Sequence, residues 1–141
     1  LIGWACSTGN ISFFPVILFL IIFVWTPPHF WALALYKNIE YSKAKVPMLP
    51  VVRGKRVTKM QIFFYSLLLF IVSSLPYIAS FSGIYYLISS VILNCYFCFL
   101  SLMLLKSNDQ KHSIYAPKLF KFSILYLYLI FLFLVIDSFL Y

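Results

Sequence analysis

Charge is scarce in this sequence. Only 10% of its 141 residues are Asp, Glu, Lys or Arg, and three of those are acidic; soluble domains carry about 25%. Residues 1–36 contain none of the four charged types, and neither do residues 60–105. With 64% hydrophobic residues and a mean hydropathy of +0.99, a water-soluble fold is excluded. Long uncharged runs are at home in lipid, where one spanning helix needs about 20 apolar residues. The spans are expected at Phe13–Tyr36, 61–80, 84–105 and 119–140, with a tight connection at Ser80-Phe81-Ser82-Gly83. The expectation is therefore an all-α, polytopic membrane protein with four transmembrane helices, and the lipid bilayer is its first partner.

Cysteine is also rare. Cys6 stands alone, and Cys95 and Cys98 form a C-x-x-C inside the third expected span. A structural zinc site needs about four ligands, a c-type haem site needs His where Phe99 stands, and a thioredoxin-like site needs a βαβ context. The pair reads as small residues on one helical face. An initiator Met and a basic N-terminal flank are missing too. Residues 1–12 are too short and too polar at Ser7-Thr8-Gly9-Asn10 for a signal peptide, so the chain reads as a piece of a longer one.

The net charge of +8 raises nucleic acid as a partner, but its placement argues against it. Every cation lies between spans or, at Lys121, just inside the start of the last. Lys37, Lys43, Lys45, Arg53, Lys55, Arg56 and Lys59 follow the first, while Lys106, Lys111, Lys118 and Lys121 follow the third. Two spans separate these segments, about 37–60 and 106–118, so both face one compartment. The excess of Lys and Arg makes that compartment the cytoplasm and puts both ends of the chain outside; a cell inner membrane is the expected location. Asp137 is expected near the outer end of the last span, and His112 in solvent.

Within the first span, Trp25-Thr26-Pro27-Pro28-His29-Phe30-Trp31 interrupts an apolar helix. Two prolines remove two backbone donors, so the carbonyls near Phe23 and Val24 lose partners and the helix is expected to kink or open. An ionisable His29 beside that break points to a functional cavity, since titratable groups are costly in hydrocarbon. The plain alternative is a kinked helix whose His29 bonds a neighbouring backbone. Asn94, midway along the third span, reads as a hydrogen bond between helices.

The segment after the first span reads KNIEYSKAKVPMLPVVRGKRVTK. It is long for a helix-helix connection, and Pro47, Pro50 and Gly54 shape its centre. Val46, Met48, Leu49, Val51 and Val52 are expected to tuck against the membrane mouth, making the segment a lid. Its cations suit a phosphorylated ligand through charge-assisted hydrogen bonds, or alternatively serve only topology and anionic-lipid contact. Glu40 is its one carboxylate, open to either a local ion pair or a metal; one turn on, Ala44 cannot ligate.

The run WTPPHFWALALYKNIEYSKAKVPMLPVVRGKRVTKMQIFFYSLLL closely resembles the protoheme IX farnesyltransferases (heme O synthases), a family of UbiA-type intramembrane prenyltransferases. Leu1-Ile2-Gly3-Trp4-Ala5 with Thr8-Gly9 looks like the family's segment before this span. Ala116-Pro117-Lys118-Leu119-Phe120-Lys121-Phe122-Ser123-Ile124 looks like its last helix. The resemblance implies a nine-helix bundle of which these are the last four helices. It also implies transfer of the farnesyl group of farnesyl diphosphate to a vinyl group of protoheme IX (heme B), giving heme O for terminal oxidases. Mg²⁺ is the implied cofactor. Position by position, Glu40-Tyr41 falls on the family's Asp-Tyr, making Glu40 the implied catalytic and metal-binding carboxylate. Lys37, Lys43, Arg53, Lys55 and Arg56 become diphosphate contacts, and Trp25, His29 and Tyr41 the heme or prenyl cavity. Glu at position 40 lengthens the usual Asp, and Lys45 stands where the family has Gly. The family's first motif, an Asn with two spaced Asp residues, is absent from these 141 residues, so an upstream N-terminal half is the implied partner, with terminal oxidase assembly machinery beyond it. The chain alone is then expected to be inactive. Two rivals stand beside this reading: half of a transporter, and an inactive remnant or assembly subunit of a split gene.

Overall fold

A computed structural model describes the backbone of residues 1–140 and their side chains, apart from those of residues 39, 41, 109, 110, 112 and 113. The elements in chain order are α1 Ile2–Thr8, α2 Phe13–Tyr36, α3 Asn38–Lys43, α4 Leu49–Arg53, α5 Lys55–Ile78, α6 Ile84–Lys106 and α7 Asp109–Leu140. Among the described residues there is no strand. Four helices, α2, α5, α6 and α7, are long and apolar enough to cross a bilayer.

The spanning helices make a four-cornered bundle. Helix α2 packs on α5 and α7, and α6 packs on the same two, so α2 and α6 take opposite corners. Ile17, Ile21, Ile62, Leu69, Phe97, Leu104, Leu119 and Tyr126 fill the interior. Large apolar side chains also cover the outside, with Ile71 62%, Ile92 63% and Tyr128 65% exposed, which suits lipid and not water.

Because the interior gains little from the hydrophobic effect in lipid, buried polar groups hold the helices in register. Asn94 Nδ2 donates to Ser73 Oγ at 2.7 Å, and the Tyr126 hydroxyl donates to Asn94 Oδ1 at 3.0 Å. The Tyr86 hydroxyl donates to the Ser73 carbonyl at 2.8 Å, and Ser66 and Ser101 hydroxyls meet at 2.9 Å. Three helices, α5, α6 and α7, are thus tied through one asparagine, as the sequence suggested for Asn94.

Several expectations are corrected. Helix α2 does not open at Pro27 and Pro28; residues 13–36 stay helical throughout, and the Thr26 hydroxyl donates to the Ile22 carbonyl at 2.7 Å. Backbone disturbed by proline is tolerated where neighbouring helices pack around it. The segment 37–60 is no irregular loop, since α3, α4 and the first turns of α5 occupy most of it. Helix α4 packs on α2 and α5, burying Pro50, while Val51 and Val52 stay exposed. The segment 106–118 is helical from Asp109 onward, leaving Ser107 and Asn108 as the link. Helices α5 and α7 simply run past the apolar spans, because polar residues lengthen a helix into water without cost to its backbone bonds.

The chain reversals explain three special residues. Gly54 starts α5 at φ 86 and ψ 162, a conformation open essentially to glycine. Lys45 ends α3 at φ 54, the left-handed position where glycine is favoured after a helix. A side chain at this left-handed position carries a backbone strain of about 1 kcal/mol. Ser80 takes φ 59 after α5, with Phe81 N–H bonded to the Pro76 carbonyl and Ser80 N–H to that of Tyr77. That pairing closes α5 before α6 begins.

Candidate functional site

Two places concentrate chemistry, on different edges of the bundle. The first lies between α2 and α7. The His29 ring is sandwiched by Trp25, with centroids 4.4 Å apart, and Phe120, at 4.9 Å. Its Nδ1 lies 2.5 Å from Ser123 Oγ, and Ser123 Oγ lies 2.6 Å from the Phe120 carbonyl. That carbonyl can only accept, so the hydroxyl donates to it and its oxygen accepts from the imidazole. The proton then sits on Nδ1 and the lone pair on Nε2. Trp25 Nε1–H donates to the Ser123 carbonyl at 2.8 Å. The ring is thus fixed in position and tautomer about 10 Å along the helix from the basic end of α2.

The second place is that basic end. Lys59 is only 6% exposed, and its Nζ donates to the Ser107 carbonyl at 3.0 Å. The α2–α5 segment and the α6–α7 link therefore meet at one end of the bundle. At the other end, Phe14 packs on Phe81 with centroids 5.1 Å apart, and the Asp137 carboxylate accepts from Gly83 N–H. Around Lys59 lies a cavity of about 590 Å³ lined by Lys55, Arg56, Lys106, Ser107 and Asn108.

The remaining expected residues are distributed unevenly. Lys55 and Arg56 share the recess; Lys43 and Arg53 are exposed outside it. Lys37 Nζ pairs with Glu40 Oε1 at 3.0 Å across one turn of α3, with both side chains well exposed. Tyr41's side chain lies outside the described residues. Ser123, Lys59 and Asp137 were not anticipated in these roles. Ser123 carried no signal because its partner is 94 residues away, and Lys59 read as one cation among seven.

A UbiA prenyltransferase family model matches residues 1–130. The chain belongs to the UbiA prenyltransferase family. Over 139 residues it is 47% identical to a protoheme IX farnesyltransferase of Nitrosococcus oceani, covering 99% of this chain and 46% of that protein. It is 45% identical over 140 residues to protoheme IX farnesyltransferase 1 of Pseudomonas aeruginosa, with shares of 99% and 45%. A Symbiobacterium thermophilum protoheme IX farnesyltransferase is 47% identical over 137 residues, with shares of 97% and 46%. The chain spans less than half the length of these curated relatives. No solved structure matches it.

Read as part of a UbiA protein, the chain is a multi-pass membrane protein. Among the described residues no three His, Cys, Asp or Glu side chains come together, and Glu40 is engaged by Lys37. A hard cation wants about six oxygen ligands, of which at most two could come from one carboxylate.

Proposed function

We propose that the complete protein transfers the farnesyl group of farnesyl diphosphate to a vinyl group of protoheme IX, giving heme O for terminal oxidase assembly. The identity of 47% over 99% of the chain to a protoheme IX farnesyltransferase carries this reading. In the reaction the C–O bond of the allylic ester breaks and the diphosphate leaves with the electron pair. The allylic carbon bonds the terminal vinyl carbon, and water adds its hydroxyl to the inner one with loss of a proton. Cations stabilise the departing anion, and an apolar cavity keeps the allylic cation from premature water.

In this proposal Lys37, Lys43, Arg53, Lys55 and Arg56, together with Glu40, meet the diphosphate, and Trp25, His29 and Tyr41 line the heme or prenyl cavity. Any Mg²⁺ would draw most of its oxygen ligands from outside these 141 residues. The basic end faces the cytoplasm of a cell inner membrane. In a cysteine-free background, cysteines placed at Lys43 and Lys111 are expected to react with impermeant maleimide only from the cytoplasm, and one at Ser80 only from outside. Labelling of Lys43 and Lys111 sites from opposite faces would overturn the orientation.

The decisive assay is heme O formation by the complete polypeptide from protoheme and farnesyl diphosphate. There, Glu40→Gln is expected to slow turnover about tenfold or more. Stability should move by less than about 1 kcal/mol, because the Lys37–Glu40 pair is exposed. An unchanged rate and KM for farnesyl diphosphate would remove the carboxylate from the mechanism.

A further inference from the structure

We propose that the pocket where the α5–α6 link meets the end of α7 binds the primary ammonium headgroup of an ethanolamine phospholipid. This cavity of about 610 Å³ lies at the end of the bundle away from the basic segment, and Tyr77, Ser82, Tyr85 and Asp137 are among the residues that line it. A structural water takes up about 30 Å³, so a headgroup fits easily. None of these four residues takes part in the proposed prenyl transfer.

An orphaned hydroxyl points to the ligand. Ser82 is 4% exposed, and its Oγ has no hydrogen-bond partner among the described residues. The buried hydroxyls of Ser66, Ser73, Ser90 and Ser101 are all engaged. A buried hydroxyl without a partner is costly, and a ligand that brings a donor removes that cost. The Asp137 carboxylate lines the same pocket, held in place by the N–H of the next residue, Gly83, and by that of Tyr86. Each of its oxygens keeps a further lone pair. Hydroxyl and carboxylate oxygens together suit a ligand with several N–H donors and a positive charge, which is what a primary ammonium offers. The ring faces of Tyr77 and Tyr85 attract the same cation.

The rim decides for a lipid over a soluble amine. Ile84 lines the pocket, and Ile84, Ile88 and Ile92 follow one another at four-residue spacing on one face of α6, each 50% exposed or more. They form an apolar stripe that runs from the pocket along the spanning helix. A headgroup seated on Ser82 and Asp137 would lay its acyl chains on that stripe, from which a soluble amine gains nothing.

The test has no enzymatic readout, so its failure is distinguishable from failure of the proposed reaction. The complete polypeptide, purified in detergent, is titrated with dioleoyl phosphatidylethanolamine or dioleoyl phosphatidylcholine, and bound lipid is read by native mass spectrometry. The choline lipid keeps the phosphate, net charge and chains but has no N–H. The ethanolamine lipid is expected to be retained about tenfold better, the scale of a hydrogen bond to a charged group. Ser82→Ala should weaken its binding about fivefold, one neutral hydrogen bond, and should not lower the Tm of the lipid-free protein, which loses no bond. Asp137→Asn keeps an acceptor without the charge and should bring the two lipids to equal retention. Ser138→Ala, exposed beside Asp137 but outside the lining, should leave binding unchanged. Equal retention of both lipids by the unmodified protein, undiminished binding or a lowered lipid-free Tm in Ser82→Ala, or displacement of the lipid by millimolar ethanolamine would each overturn the proposal. Far-UV circular dichroism verifies folding, and Ser82→Ala decides by itself should Asp137→Asn unfold.

Discussion

Replacing His29 by Phe is expected to leave the protein folded and, under the proposed reaction, to cut heme O formation by about tenfold or more, because both ring nitrogens are lost from the cavity it is proposed to line. The expectation rests on separating what the ring does as packing from what its nitrogens do. Phenylalanine can keep both stacks, to Trp25 and Phe120, each of which contributes about 1 kcal/mol. It cannot keep the Nδ1 bond to Ser123 or the lone pair on Nε2. Alanine would lose the stacks as well and should destabilise the protein by about 2–4 kcal/mol. Ser123→Ala leaves the ring but frees its tautomer, and is expected to cost about fivefold to tenfold, one neutral hydrogen bond. Paired thermal-stability and heme O measurements on the three variants decide the matter. Full activity in His29→Phe would reduce the histidine to packing.

The second large effect is expected at the opposite end of the bundle. Asp137 is 1% exposed and accepts from the Gly83 and Tyr86 N–H groups, the latter at 3.2 Å. These are two of the donors that the start of α6 leaves without helical partners. The carboxylate therefore satisfies a helix end supplied by another helix, and its charge faces the positive pole of α6. Asp137→Ala strands two buried donors, each costing about 1–3 kcal/mol, so a loss of about 3–5 kcal/mol is expected. Asp137→Asn keeps an acceptor and should recover about half. Unfolding in mixed micelles, followed by circular dichroism, measures both. Were Asp137 merely an outward-facing charge at the end of a span, neither change would matter.

That contrast shows where reading the sequence stopped. Asp137 was legible as an acidic residue near a span's end, but an acidic residue there looks the same whether it meets water or a helix. Lys45 is a milder example: its departure from glycine was visible as a letter, and the φ of 54 gives it a physical consequence. Of the kink or opening expected at the prolines of α2, the opening does not occur: residues 13–36 stay helical where they pack against α5 and α7.

Hydropathy and the long TPPHFW-to-GKR run were enough for the all-helical membrane fold with four spanning helices and the resemblance to UbiA prenyltransferases. Those are properties of contiguous stretches, and contiguous stretches are what a sequence displays. The sandwich of His29, the division of the cations into a recess and an exposed set, and the capping of α6 by Asp137 came from packing. Their partners lie 94, 48 and 54 residues apart, distances that nothing short of assembled helices brings within hydrogen-bonding range.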